Sequence, residues 1–344
     1  MIALLIAGAV SVAVPLFGMP LLIRALALRG IGQPIHSDLG ETHQKKSGTP
    51  TMGGLMIVGG AALGYACAHF RAGTIFTWGG LLTIGVVIGA GFVGFLDDLI
   101  KVRSQRNLGL RARTKMIGLL IVALAFAVLA IRLADVHTTL SFTSFDQPGI
   151  GLGRIGWVVL AVFMIAGTTN GVNLSDGLDG LAAGSAALCF SAFVVIGFWE
   201  FRHVDAYQIP QALDLALVAA AMMGACTGFL WWNAAPAKII MGDVGALGIG
   251  AGLAGLALVT STQLLLAVAG ALYVIQTLSV MLQVTGYKLT KKRLFKMAPI
   301  HHHFEMSGWE ETTITVRFWI FSAMCTALAL GIFYATFITH GGID

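Results

Sequence analysis

The chain has 344 residues, of which 57% are hydrophobic and only 11% are charged, and its formal net charge is +5. Soluble domains carry roughly 25% charged residues, so the composition excludes an ordinary water-soluble protein. One membrane-spanning helix needs about 20 apolar residues, and a chain of this length has room for about ten of them with their loops. We therefore predict an all-α polytopic membrane protein in which residues 1–344 form a single integral membrane domain.

Long apolar segments bounded by charged residues or by Pro and Gly clusters predict where the membrane-spanning helices lie. The first segment has no basic residue ahead of it, which favours a first span over a cleavable signal peptide. The fifth segment is the shortest. The ten predicted spans are approximately 2–28, 53–70, 75–96, 116–133, 157–170, 178–198, 213–231, 244–260, 263–284 and 318–338.

The basic residues are unevenly distributed between the loops. With ten spans, 16 of the 21 Lys and Arg residues fall in the loops on one side, three fall on the other side and two lie within spans. Cytoplasmic loops of membrane proteins are enriched in Lys and Arg. This asymmetry predicts that both termini lie on the periplasmic or outer side. It also explains the net charge as a topology signal, so no nucleic-acid partner is expected.

The first cytoplasmic loop contains the segment HQKKSGTPTMGG, residues 43–54. Its glycines allow close approach of the backbone to a ligand, and Lys45 and Lys46 could bind an anion. The segment lacks the Gly-Lys-Ser/Thr ending of a phosphate-binding P-loop. A simple turn flanked by topology-determining lysines is the alternative interpretation.

Two adjacent carboxylates, Asp97 and Asp98, lie at the cytoplasmic end of the third span. Ionisable groups at this depth are energetically costly and are usually functional. Neighbouring residues on a helix point about 100° apart, so we expect the two carboxylates to have different roles rather than to bind one ion together. Ion pairs with the basic residues that follow are the alternative.

The segment NGVNLSDGLDGL, residues 170–181, connects the fifth and sixth spans. Asn173, Asp176 and Asp179 are spaced by three, which predicts that they share one helix face. The connection contains no Lys or Arg, so its carboxylates require a metal ion, a ligand or lysines from elsewhere to offset their charge. Helix capping by Asp176 is the alternative.

A further carboxylate, Asp243, begins the eighth span in the sequence MGDVG. A helix cap is again the simple interpretation. Its position on the cytoplasmic face, together with the other aspartates, favours a functional role.

Three consecutive histidines, His301, His302 and His303, lie in the last cytoplasmic loop. Histidine titrates near neutral pH, which suits hydrogen bonding to phosphate or proton transfer. Successive side chains on a helix diverge, so binding of one metal ion by all three is not expected. A solvated histidine run is the alternative.

Carboxylates, lysines and histidines are thus predicted to meet at the cytoplasmic face. Mg²⁺ is typically held by one or two carboxylates together with phosphate oxygens, and cations stabilise a leaving phosphate. These residues predict phosphoryl transfer. A secondary transporter is an alternative of another class, but it predicts acidic residues near the bilayer midplane and an inverted repeat.

The motifs TPTMGG, FLDD, NGVNLSDGLDGLA, MGDVGAL, APIHHHFE, GWEE and RFWI closely resemble, in this order, those of the bacterial phospho-N-acetylmuramoyl-pentapeptide transferase family. The resemblance covers essentially the whole chain. It implies a homodimer in the bacterial cytoplasmic membrane that transfers phospho-MurNAc-pentapeptide from UDP-MurNAc-pentapeptide to undecaprenyl phosphate with Mg²⁺, giving lipid I and UMP. A sibling transferase that uses a UDP-N-acetylhexosamine without the peptide is the nearest alternative.

The resemblance also implies residue roles. Asp97, with Asp98 beside it, would act as a base or position the lipid phosphate; Asp243 would bind Mg²⁺, and His301 would be needed for turnover. We favour direct attack by the lipid phosphate, because that nucleophile is already anionic. Ile240 replaces the usual Phe of the family, so stacking on uracil would be lost. The implied substrate-binding residues are Lys46, Thr51, Lys115, Asn173, Asp176, Asp179, Asn233, Ile240, His302 and His303.

Overall fold

A computed structural model of the chain describes residues 1–28, 48–70, 76–104 and 109–340. This part of the chain is a helical bundle with one short β-hairpin. Its helices are α1 (Ile2–Leu28), α2 (Gly54–His69), α3 (Trp78–Ser104), α4 (Ala112–Leu133), α5 (Gly153–Ser175), α6 (Leu181–Arg202), α7 (Val204–Tyr207), α8 (Ala212–Asn233), α9 (Gly242–Val259), α10 (Gln263–Ala269), α11 (Ala271–Thr290), α12 (Ile300–Glu305) and α13 (Glu311–His340).

Eight of the described helices, namely α1, α3, α4, α5, α6, α8, α9 and α13, are long and apolar enough to cross a membrane. The pair α10 and α11 is bent by 84° and counts as a ninth span if it is taken as one, and α2 is apolar but has only 16 residues. Helices suit the bilayer because they satisfy their own backbone hydrogen bonds. The predicted class, a polytopic helical membrane protein, is confirmed; the count of ten and the side of the termini stay predictions.

Helix α9 lies at the centre of the bundle, and every residue from Asp243 to Val259 is buried. Glycines allow α2 and α3 to approach its first turn. A Cβ atom on Gly94 would lie 2.3 Å from the carbonyl oxygen of Asp243, and one on Gly54 would lie 2.0 Å from the nitrogen of Gly245. Small residues permit such close helix contacts in membranes. This packing brings the end of α3 against the start of α9.

The structure differs from the sequence prediction around the fifth span. Helix α5 covers Gly153–Ser175, which is longer than the predicted 157–170. Before it, β1 (Thr139–Leu140) pairs in antiparallel fashion with β2 (Ile150–Gly151). This hairpin was not predicted, because two-residue strands are too short to produce an alternating hydrophobic pattern.

Candidate active site

Three carboxylates meet where α3 ends and α9 begins. Asp97, Asp98 and Asp243 each offer one oxygen, and these oxygens all lie within 4.8 Å of one another. All three residues are buried. Gly242 has a φ of +72°, and a Cβ atom there would lie 2.4 Å from Asp98 Oδ2, so glycine is required for the turn that carries Asp243 to the cluster.

One oxygen of each adjacent aspartate and one of Asp243, which comes from another helix, lie within 4.8 Å of one another. Helix geometry therefore does not keep Asp97 and Asp98 from facing a common ion, contrary to the sequence-based expectation. Their protein partners do differ. Asp97 Oδ1 accepts a hydrogen bond from the Leu110 nitrogen (2.8 Å), whereas Asp98 Oδ2 accepts one from the Val244 nitrogen (3.2 Å).

Two lysines offset much of the negative charge of this cluster. Lys101 Nζ lies 2.6 Å from Asp97 Oδ2, 3.4 Å from Asp98 Oδ1 and 2.8 Å from Asp243 Oδ2. Lys115 Nζ lies 2.7 Å from the same oxygen of Asp243. Three carboxylates against two ammonium groups leave one net negative charge. The alternative interpretation, in which these aspartates pair with basic residues that follow them, therefore also holds for Lys101.

Lys101 is a site residue that the sequence analysis missed, since it was counted only as a topology signal. The available signal was its spacing, because residues three and four apart lie on one helix face and Lys101 follows Asp98 and Asp97 by these distances. Lys115, which the family resemblance implies as a substrate-binding residue, contacts Asp243 of the carboxylate cluster.

The donor set fits a hard divalent cation. Mg²⁺ prefers carboxylate oxygens and keeps positions for phosphate and water, and the three carboxylates offer one converging oxygen each. Buried negative charge is costly unless a cation compensates it. Asp97 and Asp98 therefore join the predicted Asp243 as candidate metal ligands.

A second part of the site is the turn between α5 and α6, residues 176–180. The family resemblance implies that Asp176 and Asp179 bind the donor, so we name this segment the donor-side turn. The prediction that Asn173, Asp176 and Asp179 share one helix face is wrong, because α5 ends at Ser175 and only Asn173 lies within it. Gly180, the residue just before α6, has a φ of +76°, a left-handed conformation that glycine adopts without strain.

Hydrogen bonds attach the donor-side turn to the segment after α8. Asp179 Oδ2 accepts a hydrogen bond from the Ala237 nitrogen (2.9 Å). Asn233 Oδ1 accepts one from the Gly180 nitrogen (3.1 Å), and Asn233 Nδ2 donates one to the Ile239 carbonyl (2.9 Å). Asn233 therefore joins two segments that each carry predicted site residues.

Residues 50–53, just before α2, contact the segment between α8 and α9. The Ile240 nitrogen donates to the Pro50 carbonyl (2.8 Å), and the Ile240 carbonyl accepts from the Gly53 nitrogen (2.9 Å). Thr51 is buried, and its Oγ1 would lie 3.2 Å from a Cβ atom on Gly242. Thr51 and Ile240 thus lie beside the carboxylate cluster. The predicted Lys46 lies outside the described residues.

The three histidines occupy the short helix α12. The predicted divergence of their side chains is wrong for the first two, because the ring centroids of His301 and His302 lie 4.2 Å apart. His301 is buried, with Nδ1 3.1 Å from Gln276 Oε1. His302 Nδ1 pairs with Glu305, and His303 Nδ1 accepts a hydrogen bond from the Lys296 nitrogen (3.1 Å).

His301 packs against the donor-side turn. A Cβ atom on Gly177 would lie 2.4 Å from His301 Nε2, so glycine is needed there. The interpretation as a solvated histidine run fails for His301. Its partner Gln276 was missed by the sequence analysis; the available signal was an uncharged polar residue inside an apolar span.

Comparison with known proteins gives two family matches. Residues 78–261 match the model described as Glycosyl transferase family 4, and residues 46–58 match phospho-N-acetylmuramoyl-pentapeptide-transferase signature 1. The first match contains the carboxylate cluster and the donor-side turn, and the second contains Thr51.

Curated relatives align over nearly the whole chain. A phospho-N-acetylmuramoyl-pentapeptide-transferase of Frankia alni is 51% identical, with 98% of each chain covered. Proteins of the same name from Frankia casuarinae and Streptomyces avermitilis are 50% and 48% identical; the alignments cover 98% and 96% of this chain and 99% and 97% of theirs.

Proposed function

The chain belongs to the phospho-N-acetylmuramoyl-pentapeptide-transferase family, and on that premise we propose that Asp97, Asp98 and Asp243 form the centre of its reaction. The protein is a membrane-bound phosphotransferase of peptidoglycan synthesis. It moves phospho-MurNAc-pentapeptide from UDP-MurNAc-pentapeptide to undecaprenyl phosphate and produces lipid I and UMP.

The assignment of the reaction centre rests on one observation: three buried carboxylates converge beside two lysines. We propose that the carboxylates hold Mg²⁺, which supplies positive charge against the diphosphate when it is bound. Lys101 and Lys115 each place an ammonium group beside Asp243 Oδ2. These groups can bind phosphate oxygens and stabilise the charge that develops on the leaving UMP.

The contacts of Asp97 favour direct attack by the lipid phosphate. Lys101 holds Oδ2 of Asp97, and the Leu110 nitrogen holds Oδ1, so neither oxygen is available as a nucleophile without losing a partner. In direct transfer, a lipid phosphate oxygen forms a bond to the sugar-linked phosphorus while the bond from that phosphorus to the bridging oxygen breaks. The bridging oxygen leaves with UMP. Asp97 would then position the reacting lipid phosphate.

We propose that the nucleotide of the donor binds beside the donor-side turn. There, Asn233 accepts a hydrogen bond from the Gly180 nitrogen, and Asp179 accepts one from the Ala237 nitrogen. The backbone of Ile240 is hydrogen-bonded to Pro50 and Gly53, on either side of Thr51. The sugar and peptide portion of the donor would contact helix α12, where His301 packs against the donor-side turn. The remaining residues proposed to contact the donor are Lys46, Asn173, Asp176, His302 and His303.

The proposed setting is the bacterial cytoplasmic membrane. We propose one domain over residues 1–344 with ten spans, made of the eight long helices, the bent pair and α2. Both termini would lie outside and the site would face the cytoplasm, because the loops rich in Lys and Arg are on the side of the site. A homodimer is proposed from the family resemblance.

The test is an assay of UMP release by the purified protein in lipid nanodiscs with undecaprenyl phosphate. We expect turnover with UDP-MurNAc-pentapeptide, loss of turnover with a chelator, and recovery on addition of Mg²⁺. Turnover with UDP-GlcNAc instead of the pentapeptide donor would contradict the proposal and favour a sibling transferase.

A further inference from the structure

We infer that helix α13 positions the donor-side turn for donor binding through Glu311, Thr315 and Trp319. None of these three residues was predicted as part of the site. The inference rests on the proposed function, because it assumes that the turn binds the donor. It adds a set of positioning residues that lie far along the chain from the turn they hold.

The three residues contact consecutive backbone groups of the turn. Glu311 Oε1 accepts a hydrogen bond from the Asp179 nitrogen at 2.8 Å. Thr315 Oγ1 donates to the Asp179 carbonyl at 3.4 Å, and Trp319 Nε1 donates to the Gly180 carbonyl at 3.2 Å. The three are spaced by four residues, so they form one stripe along a single face of α13.

Two glycines make room for the end of this stripe. A Cβ atom on Gly184 would lie 2.3 Å from Trp319 Nε1, and one on Gly180 would lie 3.3 Å from Trp319 Cζ2. The indole ring therefore fits against the start of α6 because both positions lack side chains. The contact is built into the packing of α6 and α13.

The strongest of the three contacts is expected to be that of Glu311. A hydrogen bond between a carboxylate and a backbone N–H is charge-assisted and roughly twice as strong as a neutral one. It fixes the backbone of Asp179, whose own carboxylate accepts from Ala237. The position of this carboxylate therefore depends on Glu311.

Donor affinity should depend on this placement, because binding groups that shift by about 1 Å lose much of their contribution. The lipid substrate and the metal would bind at the carboxylate cluster, to which α13 makes none of the contacts described above. The inference thus predicts an effect on the KM for the donor and not on the KM for the lipid. A helix that only stabilised the fold would not separate the two constants.

The test compares E311A, E311Q and E310A in the nanodisc assay. E311A removes the acceptor for the Asp179 nitrogen, whereas E311Q keeps a carbonyl acceptor in its place. E310A removes the charge of the adjacent, exposed glutamate. We expect E311A to raise the KM for UDP-MurNAc-pentapeptide about tenfold, with the KM for undecaprenyl phosphate unchanged. E311Q, which keeps a weaker neutral hydrogen bond, should raise the donor KM only about threefold, and E310A should stay within about twofold of the wild type for both substrates.

Two results would overturn the inference. One is an unchanged donor KM in E311A, and the other is a parallel loss in E311A and E311Q, which would mean that the carboxylate charge acts rather than the hydrogen bond. Absence of transfer by the wild-type protein would instead contradict the proposed function. If E311A does not fold, W319F, which removes the indole N–H but keeps an aromatic ring, gives the same comparison: a raised donor KM supports the inference and an unchanged one opposes it.

Discussion

Lys101 Nζ lies 2.8 Å from Asp243 Oδ2, although the two residues are 142 positions apart in the chain. The same ammonium group contacts Asp97 and Asp98, so it is an internal cation at the point where the three carboxylates converge. A buried carboxylate is strongly destabilising without a compensating charge. Lys101 therefore links α3 to α9 and occupies the space in which a metal ion is proposed to bind.

Substitution of Lys101 should separate turnover from metal binding. In K101Q we expect kcat to fall about 100-fold, because one of the cations that stabilise the transition state is lost. The Mg²⁺ concentration for half-maximal activity should also fall, because the ammonium group no longer competes for the carboxylates. Titration of Mg²⁺ in the UMP-release assay measures both effects, and K288Q, which removes an exposed lysine of α11, is the control. A wild-type kcat in K101Q would exclude a role in the reaction.

Replacement of Asp243 should have the largest effect in the carboxylate cluster. D243A removes the partner of both lysines and one of three candidate metal ligands. We expect UMP release to fall by at least about 1,000-fold, since several charge interactions are lost together. Binding of Mn²⁺, followed by electron paramagnetic resonance in the absence of substrate, should weaken in parallel. Retained Mn²⁺ binding would mean that Asp243 is not a ligand.

A trapping experiment distinguishes direct attack from a covalent intermediate. Because both oxygens of Asp97 are engaged by Lys101 and Leu110, we expect no protein labelling when donor labelled on the sugar-linked phosphate is incubated without undecaprenyl phosphate. Hydroxylamine, which cleaves acyl phosphates, should release nothing from the denatured protein. A hydroxylamine-sensitive label that disappears in D97N would show an aspartyl intermediate.

The sequence was informative where chemistry concentrates in short segments. Asp97 and Asp98 were singled out because carboxylates are costly in apolar helices, and Asp243 because it was predicted on the same face as the other aspartates. Their convergence could not be derived, since it depends on the glycine contacts that bring α3 against α9. The helix periodicity assumed for Asp176 and Asp179 was wrong because α5 ends at Ser175, and a periodic pattern does not predict where a helix stops.

The contacts of α13 were unpredictable for a different reason. Glu311 meets Asp179 across 132 residues, and a single sequence contains no signal for such a pairing. Lys101, in contrast, could have been identified from its helical spacing to Asp97 and Asp98. Helical spacing thus predicts which residues of one helix lie on the same face. Which residues of different helices come into contact is known only from the packing of the helices in the structure.

Introducing an aromatic ring at Ile240 should strengthen nucleotide binding. The backbone of Ile240 is fixed by Pro50 and Gly53, so a change of side chain leaves the loop contacts in place. A ring that stacks on uracil contributes about 0.5–1.5 kcal/mol, which corresponds to roughly a twofold to tenfold lower Kd for UMP in I240F. Calorimetric titration with UMP measures the effect, and I240L is the control of similar volume. Equal Kd values for I240F and I240L would mean that this side chain does not face the base.

The end of the bundle opposite the site offers a stability test that should leave catalysis intact. Asp214, at the start of α8, is buried. Its Oδ2 accepts hydrogen bonds from the Tyr65 hydroxyl (2.9 Å) and from the nitrogen and Oγ1 of Thr77 (2.8 and 2.7 Å), while His69 Nε2 lies 2.9 Å from Oδ1. D214A leaves these groups without their acceptor.

We expect D214A to lower the free energy of unfolding by about 3 kcal/mol, because removing one partner of a buried charged network leaves the others unpaired. The thermal transition of the purified protein should move to lower temperature, while D205A, an exposed aspartate nearby, should leave it unchanged. Well below that transition, D214A should have wild-type KM values for both substrates, since the network joins α2, α3 and α8 far from the carboxylate cluster. A changed donor KM in folded D214A would instead indicate that the two ends of the bundle are coupled through α3 and α8.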